Sequence, residues 1–371
     1  MLDKSTNNNW YKVLNEEELV SPSLIVYPLR IRKNIESMIE ISGGVGRLWP
    51  HIKTHKMPEI INLQKEYGIV RFKCATISEV NLLIKCKVDQ ILFAMQPSKG
   101  KFLKLLELQK IYPNITFSTL VDNIKSLEMF SIICFEKKQK MRLWLDINNG
   151  MNRTGIKPGD EAMDLFLSIL NDDFLSAMGL HIYDGHIRPI NINERKDKCD
   201  ISFKSVSELI KKIELNNVIV KNIIAGGSPT LLPHSQRERV LLSPGTTLLW
   251  DLGYKNLWKE SPFLNAAVLV TRIVSKPSNN ILCFDLGHKS VASEMPLPRI
   301  QIFGLENVKH ISQSEEHLVI ESTDANKYEV GKLFYALPYH ICPTVAKYNR
   351  AYTVVKSKKL GAWDIEARDY I

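Results

Sequence analysis

The sequence predicts an α/β fold: a (β/α)8 TIM-like barrel followed by a smaller, mainly-β C-terminal domain. Three observations predict it. From about Leu29 to Thr247, helical and strand patterns alternate about eight times, which argues a barrel over an open doubly wound sheet. After about Phe263, helical periodicity becomes scarce and strand patterns follow one another. The length of 371 residues suits one large barrel plus a smaller domain as well as it suits three compact domains. The expected divisions are an N-terminal segment over 1–20 that packs on the β domain, a barrel over 21–260 and a β-rich domain over 261–371.

The elements follow in order. A helix at Arg30–Ser42 leads to a first strand, Arg47–Lys53. A second helix starts near Pro58, where proline suits a first turn. Strand Ile69–Cys74 precedes Thr76-Ile-Ser-Glu79, a capping-box pattern that opens a helix through Cys86. Strand Gln90–Met95 leads to helix Gly100–Ile111, and strand Ile115–Val121 to a helix capped by Asp122. Strand Arg142–Ile147 leads to helix Asp160–Leu170, and strand Met178–Tyr183 to a helix near Ile201–Leu215. Strands Ile219–Ala225 and Arg239–Leu242 complete the set. Beyond Phe263, the segments Ala267–Val274, Ile281–Phe284, His317–Ile320 and Lys332–Leu337 read as strands, with Lys276–Asn280 (K-P-S-N-N) as a turn.

Composition excludes several classes. At 44% hydrophobic and 24% charged residues the chain is neither disordered nor fibrous. The formal charge is 49 − 40 = +9, yet the densest basic runs, Lys137–Lys140 and Lys356–Lys359, carry no interleaved aromatics. They read as solvated surface, and no nucleic-acid partner is expected. The six cysteines contain no C-x-x-C pair, which points to a reduced, cytoplasmic setting rather than a disulfide framework. Met1–Trp10 is polar, without the apolar core of a signal peptide, and no window of ~18 uncharged apolar residues occurs, so no membrane partner is expected. Phosphate-loop, G-x-S-x-G and H-E-x-x-H motifs are absent, and Gly44-Val-Gly46 is too short for a dinucleotide fingerprint.

Chemistry concentrates in a few stretches. Trp49–Lys56 reads W-P-H-I-K-T-H-K. Lys53 falls at the C-terminal end of the first expected strand, where barrels place their chemistry. His51, Lys53 and His55 share one face of an extended chain. A lysine partly desolvated beside other cations becomes a nucleophile toward a carbonyl and forms a Schiff base; the plainer reading is a basic surface loop. Gly226–Thr230 (G-G-S-P-T) and Ser243–Thr247 (S-P-G-T-T) follow the last two strands, the loops with which barrels often bind phosphate, so Gly227, Ser228, Gly245 and Thr246 form a candidate phosphate cradle. In Tyr339–Val345 (Y-H-I-C-P-T-V), His340 and Cys342 fall on one side of a strand, and imidazole plus thiolate suits zinc. Two protein ligands leave positions for water and substrate, although H-x-C also occurs by chance.

The stretch P-H-I-K-T-H-K resembles the pyridoxal-phosphate lysine motif of the D-serine dehydratase/D-threonine aldolase family, and the resemblance runs from about Ser21 to Tyr370 in the same motif order. These are fold-type-III enzymes, with an alanine-racemase-like barrel followed by a β domain. The resemblance implies pyridoxal 5'-phosphate on Lys53. Asp146–Gly155 (D-I-N-N-G-M-N-R-T-G) resembles the family's D-x-G-x-x-R-x-G, loosened by Asn149, and places Arg153 near the cofactor or the substrate carboxylate; otherwise Arg153 is a surface loop arginine. In Gly179–His186 (G-L-H-I-Y-D-G-H), the resemblance stacks His181 on the pyridoxal ring and sets Tyr183 on the substrate side. Alone, His181 reads as a satisfied barrel-core histidine, and His186 has no assigned role.

His340 and Cys342 resemble the family's H-x-C-P-T motif, which implies a divalent metal, zinc by its donor set. Alanine racemases carry Arg before the P-G of the second loop, whereas Ser243 stands here, which weakens a racemase reading. The family's A-R-G appears as Ala367-Arg368-Asp369, and Asp285–Lys289 (D-L-G-H-K) looks like a further family segment without a role. The implied activity is a metal-assisted lyase on a D-β-hydroxy amino acid: the ring is an electron sink, Lys53 the base for the α proton, and the metal a Lewis acid on the β-hydroxyl. Loss of water is D-serine dehydration; cleavage of Cα–Cβ is D-threonine-type aldol chemistry. Cys342 in place of a carboxylate favours the dehydratase, with the aldolase and then an amino-acid racemase as alternatives. A homodimer is implied by resemblance alone.

Overall fold

The structure is a computed structural model that describes residues 9–370; residues 1–8 of the expected N-terminal segment lie outside the described residues. The chain divides into two compact units. A β unit comprises the residues up to Asn34, Leu248–Asn256 and Ser261–Ile365; a barrel unit comprises Ile35–Thr247, Leu257–Glu260 and the chain from Glu366.

In chain order, strand β1 (Ser23–Val26) leads to α1 (Pro28–Ser42), followed by α2 (Pro58–Glu66), β2 (Arg71–Cys74), α3 (Ile77–Lys85), β3 (Gln90–Phe93), α4 (Lys99–Ile111), β4 (Thr116–Val121), α5 (Ile124–Lys137), β5 (Met141–Ile147), α6 (Asp160–Leu170), β6 (Leu175–Ile182), α7 (Ile192–Glu214), β7 (Ile223–Ala225), α8 (Leu231–Ser235), β8 (Val240–Leu242) and α9 (Leu252–Leu257). Strands β2 to β8 form one parallel sheet in sequence order, the pattern that strand–helix repeats dictate.

The expected first barrel strand, Arg47–Lys53, is irregular. Single turns of 3-10 helix occupy Val45–Arg47 and Ile52–Thr54, and the stretch between them makes isolated parallel bridges, Leu48 with Leu242 and His51 with Lys73. Trp49 and His51 donate N–H to the carbonyls of Leu242 and Pro244, while the Pro50 carbonyl accepts from the Lys73 N–H. Pro50 has no N–H to offer in return, so a full ladder cannot form. These bridges join the two edges of the sheet around a buried cluster of Trp49, Leu92, Leu120, Trp144 and Ile224. Trp49 and Trp144 meet edge to face at 5.7 Å, and Trp144 Nε1 donates to Ser118 Oγ.

Local chemistry moved some boundaries. Helix α5 is capped by Asn123, whose side chain accepts from Ser126 N–H, rather than by Asp122, which accepts from Gly155 N–H instead. Helix α7 starts at Ile192, well before Ile201, because the Asn191 side chain accepts from the N–H groups of both Asn193 and Glu194. Thr76 caps α3 as expected, accepting from Glu79 N–H at 3.1 Å, while the Glu79 carboxylate accepts from Ala75 N–H.

The β unit continues with β9 (Ala267–Ser278), β10 (Ile281–Phe284), β11 (Ile300–Ile302), β12 (Lys309–Gln313), β13 (Leu318–Glu321), β14 (Leu333–Pro338), α10 (Ile341–Val345), β15 (Arg350–Val355) and β16 (Lys358–Asp364). Its sheet runs β12-β13-β10-β9-β1-β15-β16, and β14 pairs with β9 and β11. Strand β9 runs through Pro277, beyond the turn expected to start at Lys276. Tyr11, Ile25, Tyr27, Val268, Val270, Tyr335 and Leu337 form its core, with Tyr11 stacked on Phe303 at 3.9 Å.

Candidate active site

The lysine segment is a turn, not an extended strand. His51 is the N-cap of the 3-10 turn and its Nδ1 accepts from Lys53 N–H. The three expected face-mates therefore separate: His51 and His55 are buried, while Lys53 is exposed. Burial above all, then the Lys56 charge, pushes His55 down to about 3, and burial followed by the charges of Lys53 and Lys73 holds His51 well below the usual histidine range. Both rings are therefore neutral at pH 7. Lys56, next along, pairs with the buried Glu79 carboxylate and ties the turn to the N-terminus of α3.

Lys53 Nζ lies 5.7 Å from the centre of the Tyr183 ring, and Arg153 Cζ lies 4.9 Å from the same ring. Three expected site residues thus meet at one place. The loop that carries Arg153 leaves β5 and is fixed by its own backbone: Asn148 N–H donates to Ile156 and Ile156 N–H returns to Asp146. Gly155 sits at φ +96, where a side chain would strike the Asn148 nitrogen at 2.5 Å, so only glycine lets the loop close. His186 approaches Gly150 of the same loop.

His181 is buried at the end of β6, paired in register with Asp146 of β5. Its Nδ1 lies 2.6 Å from Asp146 Oδ1, and its Nε2 lies 2.8 Å from Nζ of Lys73, a residue of β2 with 3% exposure. Burial, then the nearby Lys53, lowers Lys73 to about 7; Asp146 acts in the opposite direction. Lys73 escaped the reading of the sequence. Its signal is in R-F-K-C: with Phe72 and Cys74 facing the helices, period two turns Lys73 into the barrel.

The candidate phosphate loops meet each other. The amides of Gly245 and Thr246 both donate to Ser228 Oγ, at 3.2 and 3.1 Å, and Gly227 N–H points at Thr230 Oγ1. Ser228 is buried, and its own proton finds no acceptor among the described residues. A side chain at Gly245 would reach the His51 carbonyl at 2.9 Å, so the loop comes closer to the lysine turn than any other residue permits. Ser243 Oγ is buried without a partner. The Ser228 and Ser243 hydroxyls, buried without an acceptor among the described residues, on loops drawn up against the lysine turn, fit a phosphorylated aldehyde such as pyridoxal phosphate.

Behind these loops, Asp184 of the Y-D-G-H stretch accepts from Thr230 Oγ1, His234 Nε2 and the Cys199 thiol. Asp184, Cys199 and His234 lie close enough to hold a metal ion. Burial first, then Asp184, raises the Cys199 thiol to about 12, so it stays protonated and the carboxylate is already satisfied.

The other metal candidate lies in the β unit. His340 is the N-cap of α10 and Cys342 the second residue of that helix, so the pair sits at a helix start rather than on a strand. The two side chains nevertheless meet: although burial would lower His340, bonding to Cys342 and then to Glu294 raises it to about 9. Glu294 Oε1 lies 2.5 Å from His340 Nδ1, and Asp251 accepts from Ile341 N–H nearby. Imidazole and thiol side by side, with two carboxylates at hand, fit a zinc-type ion. Glu294 and Asp251 are remote in sequence and carried no motif. Asp285, by contrast, accepts from Ser21 Oγ, Thr271 Oγ1 and Arg272 N–H, a structural anchor for the sheet.

A barrel with an exposed lysine and two glycine loops that meet at Ser228, followed by a β unit with a thiol–imidazole pair, defines a fold-type-III pyridoxal-phosphate architecture. The chain belongs to the alanine racemase N-terminal domain family, whose model matches residues 28–251. Residues 266–354 match the "Putative serine dehydratase domain" model. Among curated proteins it is similar to 3-hydroxy-D-aspartate aldolase of Paracoccus denitrificans (strain Pd 1222), 22% identical over 367 residues and covering 96% of this chain and 94% of that one. D-threonine aldolase of Arthrobacter sp. is 24% identical over 335 residues, covering 87% and 86%. D-serine dehydratase of Schizosaccharomyces pombe is 25% identical over 183 residues, covering 46% and 43%.

Of solved structures, D-threonine aldolase from Filomicrobium marinum superposes with a TM-score of 0.84 at 22% identity, covering 96% of this chain and 97% of that one. A cysteine-to-alanine mutant of D-threo-3-hydroxyaspartate dehydratase in the metal-free form has a TM-score of 0.84 at 17% identity, covering 94% and 98%. The expected fold, a parallel barrel sheet followed by a mainly-β unit, is the fold of these proteins.

Proposed function

We propose that this pyridoxal-phosphate-dependent lyase acts on a D-β-hydroxy amino acid and that its reaction is dehydration of the D-serine type. The observation that carries the cofactor reading is the meeting of Lys53, Tyr183 and Arg153 in the barrel unit that also holds the two glycine loops, whose Gly245 and Thr246 amides converge on Ser228 Oγ. Bound pyridoxal phosphate supplies an electron sink for charge developing at the substrate α carbon. Lys53 would hold its aldehyde through Nζ and would take the substrate's α proton at the same atom. Gly227, Ser228, Gly245 and Thr246 would hold the phosphate, the three amides exchanging Thr230 Oγ1 and Ser228 Oγ for it. Arg153 would offer a planar fork to the substrate carboxylate, Tyr183 would line the substrate side, and His181 would lie against the ring.

His340 and Cys342 would hold a divalent metal, with zinc favoured by the thiolate donor; such an ion polarises a hydroxyl oxygen and makes hydroxide a better leaving group. Cys342, where an aldolase reading would put a carboxylate, favours dehydration. The aldolases among the relatives keep Cα–Cβ cleavage as the second reading. A cytoplasmic setting, supported by free cysteines at all six positions, and a homodimer, implied by the family resemblance alone, complete the proposal.

The test is reduction with borohydride in the presence of pyridoxal phosphate, followed by peptide mass mapping. The expected adduct is on the Lys53 peptide; an adduct on no lysine defeats the proposal. Turnover of D-serine to a keto acid and ammonia, against aldehyde release from D-threonine, then separates the two readings.

A further inference from the structure

We propose that Lys73 is a second functional lysine of this site: a buried donor that fixes the His181 tautomer and reserves its remaining N–H protons for the phenolate oxygen of pyridoxal phosphate bound at Lys53. The inference rests on that cofactor reading and goes beyond it in naming the residue.

The geometry has two parts. The Asp146 carboxylate can only accept, so the 2.6 Å contact to His181 Nδ1 requires Nδ1–H. His181 Nε2 is then a bare lone pair, and the 2.8 Å contact from Lys73 is an N–H donated to it. That single bond is all that Lys73 Nζ makes among the described residues, although an amine carries two protons and an ammonium three. A side chain with 3% exposure that leaves donors unspent points to a ligand.

The charges around Lys73 say which kind. Lys53 of the turn and Arg153 of the loop after β5 repel it, His51 lies across the bridge, Cys74 follows it in β2, and Asp146 is the one carboxylate that attracts it. So cationic a neighbourhood recognises an anion. On pyridoxal phosphate, the ring carbon next to the aldehyde bears the phenolate, so the anionic oxygen nearest Lys53 is that one. His181 and Asp146 pass no proton in this account; they hold Lys73 in place, and burial near its own titration point makes an unoccupied Lys73 easy to leave neutral.

Two measurements test it. Nitrogen-15 histidine spectra of the cofactor-free wild-type protein, assigned against His181→Asn, should show Nδ1 protonated and Nε2 bare. A proton on Nε2 overturns the Lys73 contact without altering Lys73. With pyridoxal phosphate added, Lys73→Met should bind it roughly tenfold more weakly. The pH at which its visible band titrates should rise by about one unit, because the unopposed phenolate holds the neighbouring imine proton more tightly. Wild-type affinity and an unmoved band titration in Lys73→Met overturn the proposal. Failure of the wild-type protein to take up pyridoxal phosphate would instead overturn the cofactor reading, and this inference with it.

Discussion

Ionisable side chains held away from water make stability depend on pH, and two here do so in opposite settings. His55 titrates near 3 in the folded chain against 6.5 when unfolded. Between those values the unfolded chain binds the extra proton, so stability is lost as pH falls from about 6.5 toward 3. His55→Gln should lose much of that acid sensitivity, read as a smaller difference in urea midpoint between pH 7 and pH 4. Lys73 titrates near 7 folded against 10.5 unfolded. Again the unfolded chain carries the extra proton, so stability rises as pH climbs from about 7 to 10.5. Lys73→Met should flatten that rise and, in cofactor-free protein, should be the more stable chain at pH 7 by about 2 kcal/mol.

Lys53 is exposed, and what it contributes is chemical. Lys53→Ala should retain the fold and lose at least about a thousandfold in turnover. Lys53 was legible because its neighbours form a motif. Lys73 was not, because its role rests on cross-strand register with His51 and on a histidine more than a hundred residues away.

Elements set the loops that carry the site. The strand–helix rhythm was legible because most strands are short, largely apolar runs and most helices are longer. The first strand defied that rule at Pro50, and the early start of α7 was hidden by a polar first turn whose only signal is Asn191. Asp184 joins the loop after β6 to the loop after β7 through Thr230 and His234. Asp184→Ala should destabilise the barrel unit by about 3 kcal/mol, since it strands a buried imidazole, a hydroxyl and a thiol together. Thr230→Val is the milder change. It frees Gly227 N–H from its internal acceptor and should alter pyridoxal phosphate affinity with little loss of melting temperature, as equilibrium binding and thermal denaturation would show.

At the scale of the molecule, the residues proposed for the cofactor and those proposed for the metal belong to different compact units. If the proposed function holds, chelation, or His340→Ala, should strip bound metal, measured by plasma mass spectrometry, and abolish dehydration while pyridoxal phosphate stays on the barrel unit. Racemisation that survives the chelator would instead favour the racemase.

The sequence offers a change of texture near Phe263, but nothing in it shows that the two units share chain, with Leu248–Asn256 in the β unit and Leu257–Glu260 in the barrel unit. Strand β1 lies between β9 and β15, pairing Ser23–Val26 with Ala267–Val270 and Tyr352–Thr353. The barrel strands, by contrast, pair with their neighbours in sequence. During synthesis, Ser-Leu-Ile-Val is made before the whole barrel and has no sheet partner until β9 follows it. A fragment ending at Glu260 should shield β2 to β8 from protease while β1 is still cut, so an unpaired, sticky strand accompanies the barrel until β9 is made.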